Sequence, residues 1–286
     1  MPSTKDIRNK IGAVKNTQKI TRAMEMVAAS KMRKAQDRMQ KSRDYAREIR
    51  RVIANVFESS TEYRHPLLAT REEKQCVLLI ISSDRGLCGG LNTLLFKKAI
   101  DFMRDKKAAG VTVSLIIIGS KAQQFFKRIG AHVIDELTHL GQTPSVSQLV
   151  STVKTTIDLF TAGKIDSLHI AFNEFKNRMT QIPTILPTLP MTIESNAAVS
   201  WDYIYEPDNA KQILDMLLAR YIESQLYQSV VENMASEEAS RMVAMKNATD
   251  NAGKVINELK QMYNKARQAA ITRELAEIVA GAAAVE

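Results

Sequence analysis

The run SSDRGLCGGLN, residues 82–92, is the first stretch of this sequence that invites a chemical reading. It follows a strand-like apolar run and opens a helix-like one. A glycine-rich turn in that position can cradle a phosphate with backbone N–H groups. A P-loop, however, needs Lys and Ser or Thr after its last glycine, and Gly90 is followed by Leu91 and Asn92. The spacing of Gly86, Gly89 and Gly90 does not match the dinucleotide fingerprint either. A tight turn is the simpler use of these glycines. Cys88 sits in the same loop as a candidate nucleophile, but it needs a base, and His65, His132, His139 and His169 are scattered along the chain. Cys76 and Cys88 have no paired metal-ligand spacing, and Asp84, Asp135 and Glu136 read as solvated surface acids. The expectation is a chain with no catalytic, cofactor or metal site of its own. Two cysteines without a disulfide framework suit a reducing compartment.

The elements that position these residues fall into three segments. Residues 1–58 lack proline apart from Pro2 and hold a single glycine, Gly12. Ser3 with Asp6 resembles a capping box. A 3–4 spaced stripe runs through Ile7, Ile11 and Val14, then Ala28, Met32, Ala35, Met39, Ala46, Ile49, Ile53 and Val56. Between Val14 and Ala28 the apolar pattern drifts to Thr17, Ile20, Met24 and Val27, which reads as a local break in heptad phase. A helix of about 55 residues is roughly 80 Å long at 1.5 Å per residue, and it needs a partner along much of that length. Residues 209–286 supply one. Their stripe includes Ile213, Leu217, Ile222, Leu226, Val230, Met234, Met242 and Met245, and then Ala252, Val255, Leu259, Met262, Ala266 and Ala269. Because the chain must return along itself, the pair is expected to be an antiparallel coiled coil.

Between them, residues 74–194 alternate strand-like runs (76–82, 111–118, 167–172, 182–189) with helical ones (91–107, 120–129, 145–162). Residues 59–73 and 195–208 are linkers. This rhythm predicts a Rossmann-like α/β domain with a mainly parallel sheet. Pro183, Pro187 and Pro190 suit an edge strand. No apolar run approaches the ~20 residues of a membrane helix, and the N-terminal residues resemble neither a secretory signal nor an organelle presequence.

The net charge of +9 is unevenly placed. Residues 1–57 carry fifteen Lys or Arg and five Asp or Glu, so the remainder of the chain is close to neutral. A solvated helix face, an acidic protein partner, nucleic acid and a membrane surface are all compatible with that surplus. A basic zipper would concentrate its bases at one end, whereas here they spread from Lys5 to Arg51 among Met and Ala, with Tyr45 the only aromatic before Phe57.

Four stretches together resemble one family, in order and across nearly the whole chain. They are IRNKIGAVKNTQKITRAMEMVAASKMRKAQ (residues 7–36), the loop SSDRGLCGGLN, VVENMASEEASRMVAMKNATDNA (230–252) and YNKARQAAITRELAEIVAGAAAV (263–285). Each is similar to the corresponding part of the gamma subunit of F-type ATP synthases. The resemblance implies a rotor. One copy of the coiled coil stands inside a ring of three alpha and three beta subunits, and the foot sits on the membrane c-ring beside the epsilon subunit. Mg-ATP, ADP and phosphate bind to the alpha and beta subunits.

The same resemblance implies roles for individual residues. Lys19, Arg22, Met24, Lys31, Cys88, Arg241, Gln268, Thr272 and Glu274 match positions that face the beta subunits. Tyr203, Tyr205 and Glu206 match the foot near the c-ring and epsilon. Ile278, Val279 and Val285 match the shaft tip, which turns in an apolar sleeve. The regulatory cysteine pair of plastid members has no counterpart at Cys76 or Cys88, so redox gating is not expected. The implied location is the cytoplasmic face of a bacterial inner membrane, held through the complex. Two other readings compete: a basic coiled-coil scaffold or nucleic-acid binder, and a phosphate-binding enzyme built on the glycine loop.

Overall fold

In the computed structural model, residues 3–59, 65–141, 143–191 and 210–283 are described. Helix α1 spans Thr4–Ser59 and helix α5 spans Ala210–Ala283. Between them lie β1 (Gln75–Ile81), α2 (Leu91–Ala108), β2 (Thr112–Ile118), α3 (Ser120–Arg128), β3 (Val133–Leu137), α4 (Val146–Thr161), β4 (Ser167–Phe175) and β5 (Gln181–Leu189). The chain divides into two compact units, Met1–Ala29 with Arg241–Glu286, and Ser30–Ser240. This division cuts both long helices instead of falling at the linkers.

The larger unit is built on a five-stranded sheet of order β3-β2-β1-β4-β5. The β1, β2, β3 and β4 pairings are parallel, and β5 runs antiparallel on the edge beside β4. The edge position explains how β5 accommodates Pro183 and Pro187, which have no N–H to give to a ladder. β3, with the sequence VIDEL, escapes the sequence reading because it is short and half polar.

Both faces of the sheet are covered, which is why β1 and β2 read as continuous apolar runs. On one face Leu78, Ile80, Leu115, Ile117 and Ala171 pack against Leu95, Phe96 and Ala99 of α2 and Ala122 and Phe126 of α3. On the other, Val77, Leu79, Ile81, Ile116 and Ile170 meet Leu149 and Val153 of α4 and Leu218, Ile222, Leu226 and Val230 of α5, with Ile49 and Ile53 of α1 in the same core. Gly119 has to be glycine. Its φ is +101°, and a Cβ there would lie 2.3 Å from the Ser82 carbonyl oxygen at the end of β1.

Within this unit α1 and α5 are antiparallel. Arg43 pairs with the buried Glu232, and seven residues further on Arg50 donates to the Tyr221 hydroxyl, eleven residues back along α5. The α1 seam here is Met32, Ala35, Met39, Ser42, Ala46, Ile49 and Ile53, alternating 4 and 3.

The smaller unit consists of the remaining parts of the two helices, again antiparallel. Ser3 and Asp6 form the expected capping box: the Asp6 N–H donates to Ser3 Oγ at 3.2 Å and the Ser3 N–H to Asp6 Oδ2 at 3.3 Å. Here the structure corrects the predicted break in phase. Covered positions recur at Ile7, Ile11, Val14, Gln18, Thr21, Glu25 and Ala28, an uninterrupted 4–3 alternation, with Met24 and Ala29 half-covered beside it. The seam turns polar in the middle while keeping its register. Thr21 Oγ1 lies 2.8 Å from Thr249 Oγ1, and Gln18 Nε2 donates to the Thr249 carbonyl at 3.3 Å. Ile20 and Val27, which the apolar pattern put in the seam, are 60% and 54% exposed. The α5 seam shifts in the same way. It runs through Met245, Thr249, Ala252, Ile256, Leu259, Tyr263 and Ala266, so the predicted Val255 and Met262 face outward.

Candidate functional site

An open, doubly wound sheet offers a ligand crevice outside the carboxyl ends of its strands, where the strand order reverses. Here that place lies between β1 and β4, because the chain leaves β1 toward β2 on one side and later returns to β4 on the other. Helix α5 is hydrogen-bonded to both walls. Asn233 Oδ1 accepts from the Asn173 backbone N–H at 3.1 Å and from Asn173 Nδ2 at 2.9 Å. Ser236 Oγ donates to the Asn173 carbonyl at 2.8 Å, and Ser240 Oγ donates to the Cys88 carbonyl at 2.6 Å. Asn233, Ser236 and Ser240 are spaced 3 and 4 apart, so they share one helix face. A position that binds small molecules in other α/β proteins is used here to fasten the returning helix.

The glycine loop is likewise satisfied from within. Asn92, in the first turn of α2, donates from Nδ2 to Ser83 Oγ at 2.7 Å and accepts the Ser83 N–H at 3.3 Å. Ser83 Oγ in turn donates to the Arg85 carbonyl at 2.7 Å. Asp84 accepts from the Ser120 N–H and hydroxyl, each at 2.9 Å, at the start of α3. It is therefore a structural acceptor, unlike the solvated acid the sequence suggested. Cys88 is 2% exposed, with Ser83 Oγ and Asn92 Nδ2 around its sulfur. The loop presents Arg85 and Leu87 to solvent, Leu87 on left-handed backbone (φ +66°).

The remaining predicted positions separate by exposure. Lys19, Arg22, Gln268, Thr272 and Glu274 are exposed, Met24 and Lys31 are half-buried, and Arg241 is 8% exposed. Ile20, Met24 and Val27 share one face of α1 outside the seam, an apolar stripe that the sequence reading had assigned to the coil interior. From Arg267 to Gly281 every side chain of α5 is exposed, because the antiparallel register brings residue 267 level with the start of α1. Ile271, Leu275 and Ile278 form an uncovered apolar stripe there, with Val279 beside it. Tyr203, Tyr205, Glu206 and Val285 lie outside the described residues.

One cluster was missed from the sequence. Glu73, Cys76 and His169 bring their ligand atoms within 4.8 Å of one another. Burial pushes the Cys76 thiol up to about 11. Burial and then the Lys106 charge hold His169 below its ordinary value. For Glu73, burial acts upward but is outweighed by hydrogen bonds from Lys106 and Ser167, so its carboxyl stays low. Only the parallel pairing of β1 with β4 places residues 76 and 169 together, and no sequence spacing carries that signal.

A doubly wound sheet domain whose switch-point crevice holds its own returning helix, and an antiparallel seamed helix pair with outward apolar side chains, define a class of α/β protein with long terminal helices. The sequence profile of the ATP synthase family matches residues 3–285. The chain is 56% identical over 292 residues to the ATP synthase gamma chain of Nitrosococcus oceani and 54% identical over 289 residues to that of Coxiella burnetii, covering 100% of each chain. The rotor of the Euglena gracilis mitochondrial ATP synthase shares the fold, with a TM-score of 0.66 at 18% identity over 94% of this chain and 98% of that one. So does the central stalk and c-ring structure from Tetrahymena thermophila, at 0.60 and 24% over 80% and 99%. The chain belongs to the gamma-chain family of ATP synthases, the non-catalytic central-stalk subunits of the F-type complex. None of its described helices is long and apolar enough to cross a membrane.

Proposed function

We propose that this chain couples rotation of a membrane c-ring to ATP synthesis or hydrolysis at alpha/beta subunit interfaces, as one copy per proton-translocating complex. The observation that carries this reading is the pair of outward apolar stripes on the helix pair. Exposed Ile20 and Val27 with half-buried Met24 between them form one, and exposed Ile271, Leu275 and Ile278 the other. Apolar contacts are non-directional, so a ring of subunits can hold such a surface without locking it at one angle. Lys19, Arg22 and Lys31 supply positive charge beside the first stripe for acidic loops of the beta subunits, and Gln268, Thr272 and Glu274 offer polar contacts beside the second.

Cys88 takes part through its loop, with Leu87 as the touching side chain. Arg241 acts through the stretch of α5 that holds it. Ile278, Val279 and Val285 belong to the tip that turns in an apolar sleeve, and Tyr203, Tyr205 and Glu206 to the foot against the c-ring and epsilon. Nucleotide, Mg and phosphate stay on the alpha and beta subunits. Membrane attachment, at the cytoplasmic face of a bacterial inner membrane, comes through the complex.

Met24→Lys tests the contact. A lysine there adds a charge-assisted hydrogen bond to an acidic beta-subunit loop, and such a directional contact holds the rotor at one angle. The complex should assemble and hydrolyse ATP while proton pumping per ATP falls. Unchanged pumping removes the contact from the account, and recovery of the native chain only as a nucleic-acid-bound dimer removes the rotor reading.

A further inference from the structure

Glu73, Cys76 and His169 stand at the amino ends of β1 and β4, on the α2 side of the sheet and at the end opposite the glycine loop. Their separation fits a metal. A tetrahedral zinc with Zn–S of about 2.3 Å and Zn–N of about 2.05 Å spans roughly 3.6 Å between sulfur and nitrogen. Cys76 Sγ and His169 Nδ1 are 3.5 Å apart. The Glu73 carboxylate completes a set within 4.8 Å, so its oxygen needs to move by only about 1 Å to join them. Two further features mark a place built for a cation. Ser167 Oγ donates to Glu73 Oε1, the kind of outer hydrogen bond that orients a metal-binding carboxylate. Lys106, in the last turn of α2 where the helix dipole favours positive charge, already sits 2.7 and 2.6 Å from the two Glu73 oxygens. Phe102 of α2 covers the His169 ring at 4.9 Å. Glu73 and Lys106 are partly exposed, which gives an ion a way in.

We propose that Glu73, Cys76 and His169 form a binding site for a thiophilic divalent cation of the zinc class, for which the Lys106 ammonium is the resident competitor. On binding, the Cys76 S–H bond breaks, its proton leaves to solvent, and the thiolate sulfur bonds the metal. His169 donates its Nδ1 lone pair, Glu73 exchanges Lys106 for the metal, and a water takes the fourth position. The bound ion ties β1, β4 and the segment entering β1 together, so its effect is on the rigidity of the base and not on nucleotide chemistry. Spacing along the sequence gave no metal site because His169 reaches Glu73 and Cys76 only across the sheet.

The experiment is a titration of the full chain with Co²⁺, whose bond to a thiolate gives a near-ultraviolet charge-transfer band. One equivalent should produce the band in the native chain and in Cys88→Ser. It should vanish in Cys76→Ser, weaken in His169→Gln, and be displaced by Zn²⁺. Lys106→Gln removes the competitor and should tighten binding severalfold, a readout independent of whether Cys76→Ser folds. Absence of the band at millimolar Co²⁺, its persistence in folded Cys76→Ser, or binding no tighter in Lys106→Gln overturns the site.

Discussion

The polar centre of the shaft seam yields the most discriminating prediction. Thr21 is 9% exposed and meets Thr249 across the helix pair at 2.8 Å. Each hydroxyl also has a partner in its own helix: Thr21 can donate to the Gln18 carbonyl at 3.1 Å, and Thr249 donates to the Met245 carbonyl at 2.9 Å. Valine has the shape of threonine and a comparable helix propensity, so Thr→Val reads the cross-helix interaction with little else. Either single substitution leaves one half-satisfied hydroxyl against a methyl and should cost about 1 kcal/mol. Replacing both makes an apolar pair at a seam position, which is nearly neutral, so the two changes should be non-additive by roughly 1–2 kcal/mol. The assay is chemical denaturation of the four proteins of the cycle followed by helical circular dichroism. Ile20→Ala serves as the control. At 60% exposure it should change stability by less than about 0.5 kcal/mol, whereas an isoleucine within the seam would lose about 2–5 kcal/mol. Additive threonine substitutions together with a costly Ile20→Ala would refute the continuous polar seam and restore a break in phase.

Three further outcomes follow from the base. Asn233→Ala leaves the buried N–H of Asn173 without its acceptor and should destabilise the sheet unit by about 1–3 kcal/mol, read as a lowered denaturation midpoint with an unchanged slope. Gly119→Ala places a Cβ against the Ser82 carbonyl on left-handed backbone. The φ strain alone costs about 1–3 kcal/mol, and thermal unfolding should show a larger loss than for an alanine at the open Gly130. The backbone N–H groups of Lys74 and Gln75, at 2.9 Å each, hold the Asp166 carboxyl below its ordinary value of 3.8. A carboxylate depressed in the folded state contributes stability that is complete above its unfolded value and is lost as pH falls through the folded one. Asp166→Asn should therefore lower stability at neutral pH and flatten its fall below about pH 4, and equal acid sensitivity in both proteins would contradict this.

How much of this was legible in the sequence depended on how local each signal is. The helix pair announced itself through length and proline-free periodicity, and the sheet through apolar runs separated by helices. The β5 edge was readable from its prolines. What failed was the assumption that a seam stays apolar. Gln18 and Thr21 carry the phase while Ile20 and Val27 point outward, because the 4–3 spacing, not side-chain polarity, decides which positions meet the partner helix. The one-residue displacement of Val255 and Met262 has the same origin, since Ile256 and Tyr263 offered an equally apolar pattern. β3 was too short and too polar to register. Asp84, Cys88 and the Glu73–Cys76–His169 cluster depend on approaches between distant segments, which no single-chain periodicity encodes. The family resemblance supplied the role, and the geometry added that Leu87, not Cys88, faces outward.

The central claim is that this chain is the turning element of its complex. The most direct measurement is rotation of a probe attached to the base of this chain in a complex assembled with its alpha and beta subunits, with the ring held on a surface and ATP supplied. The account predicts unidirectional rotation with three equivalent stops per turn, one for each beta subunit, and stops that lengthen as ATP is lowered. ATP hydrolysis at full rate with the probe stationary would contradict it.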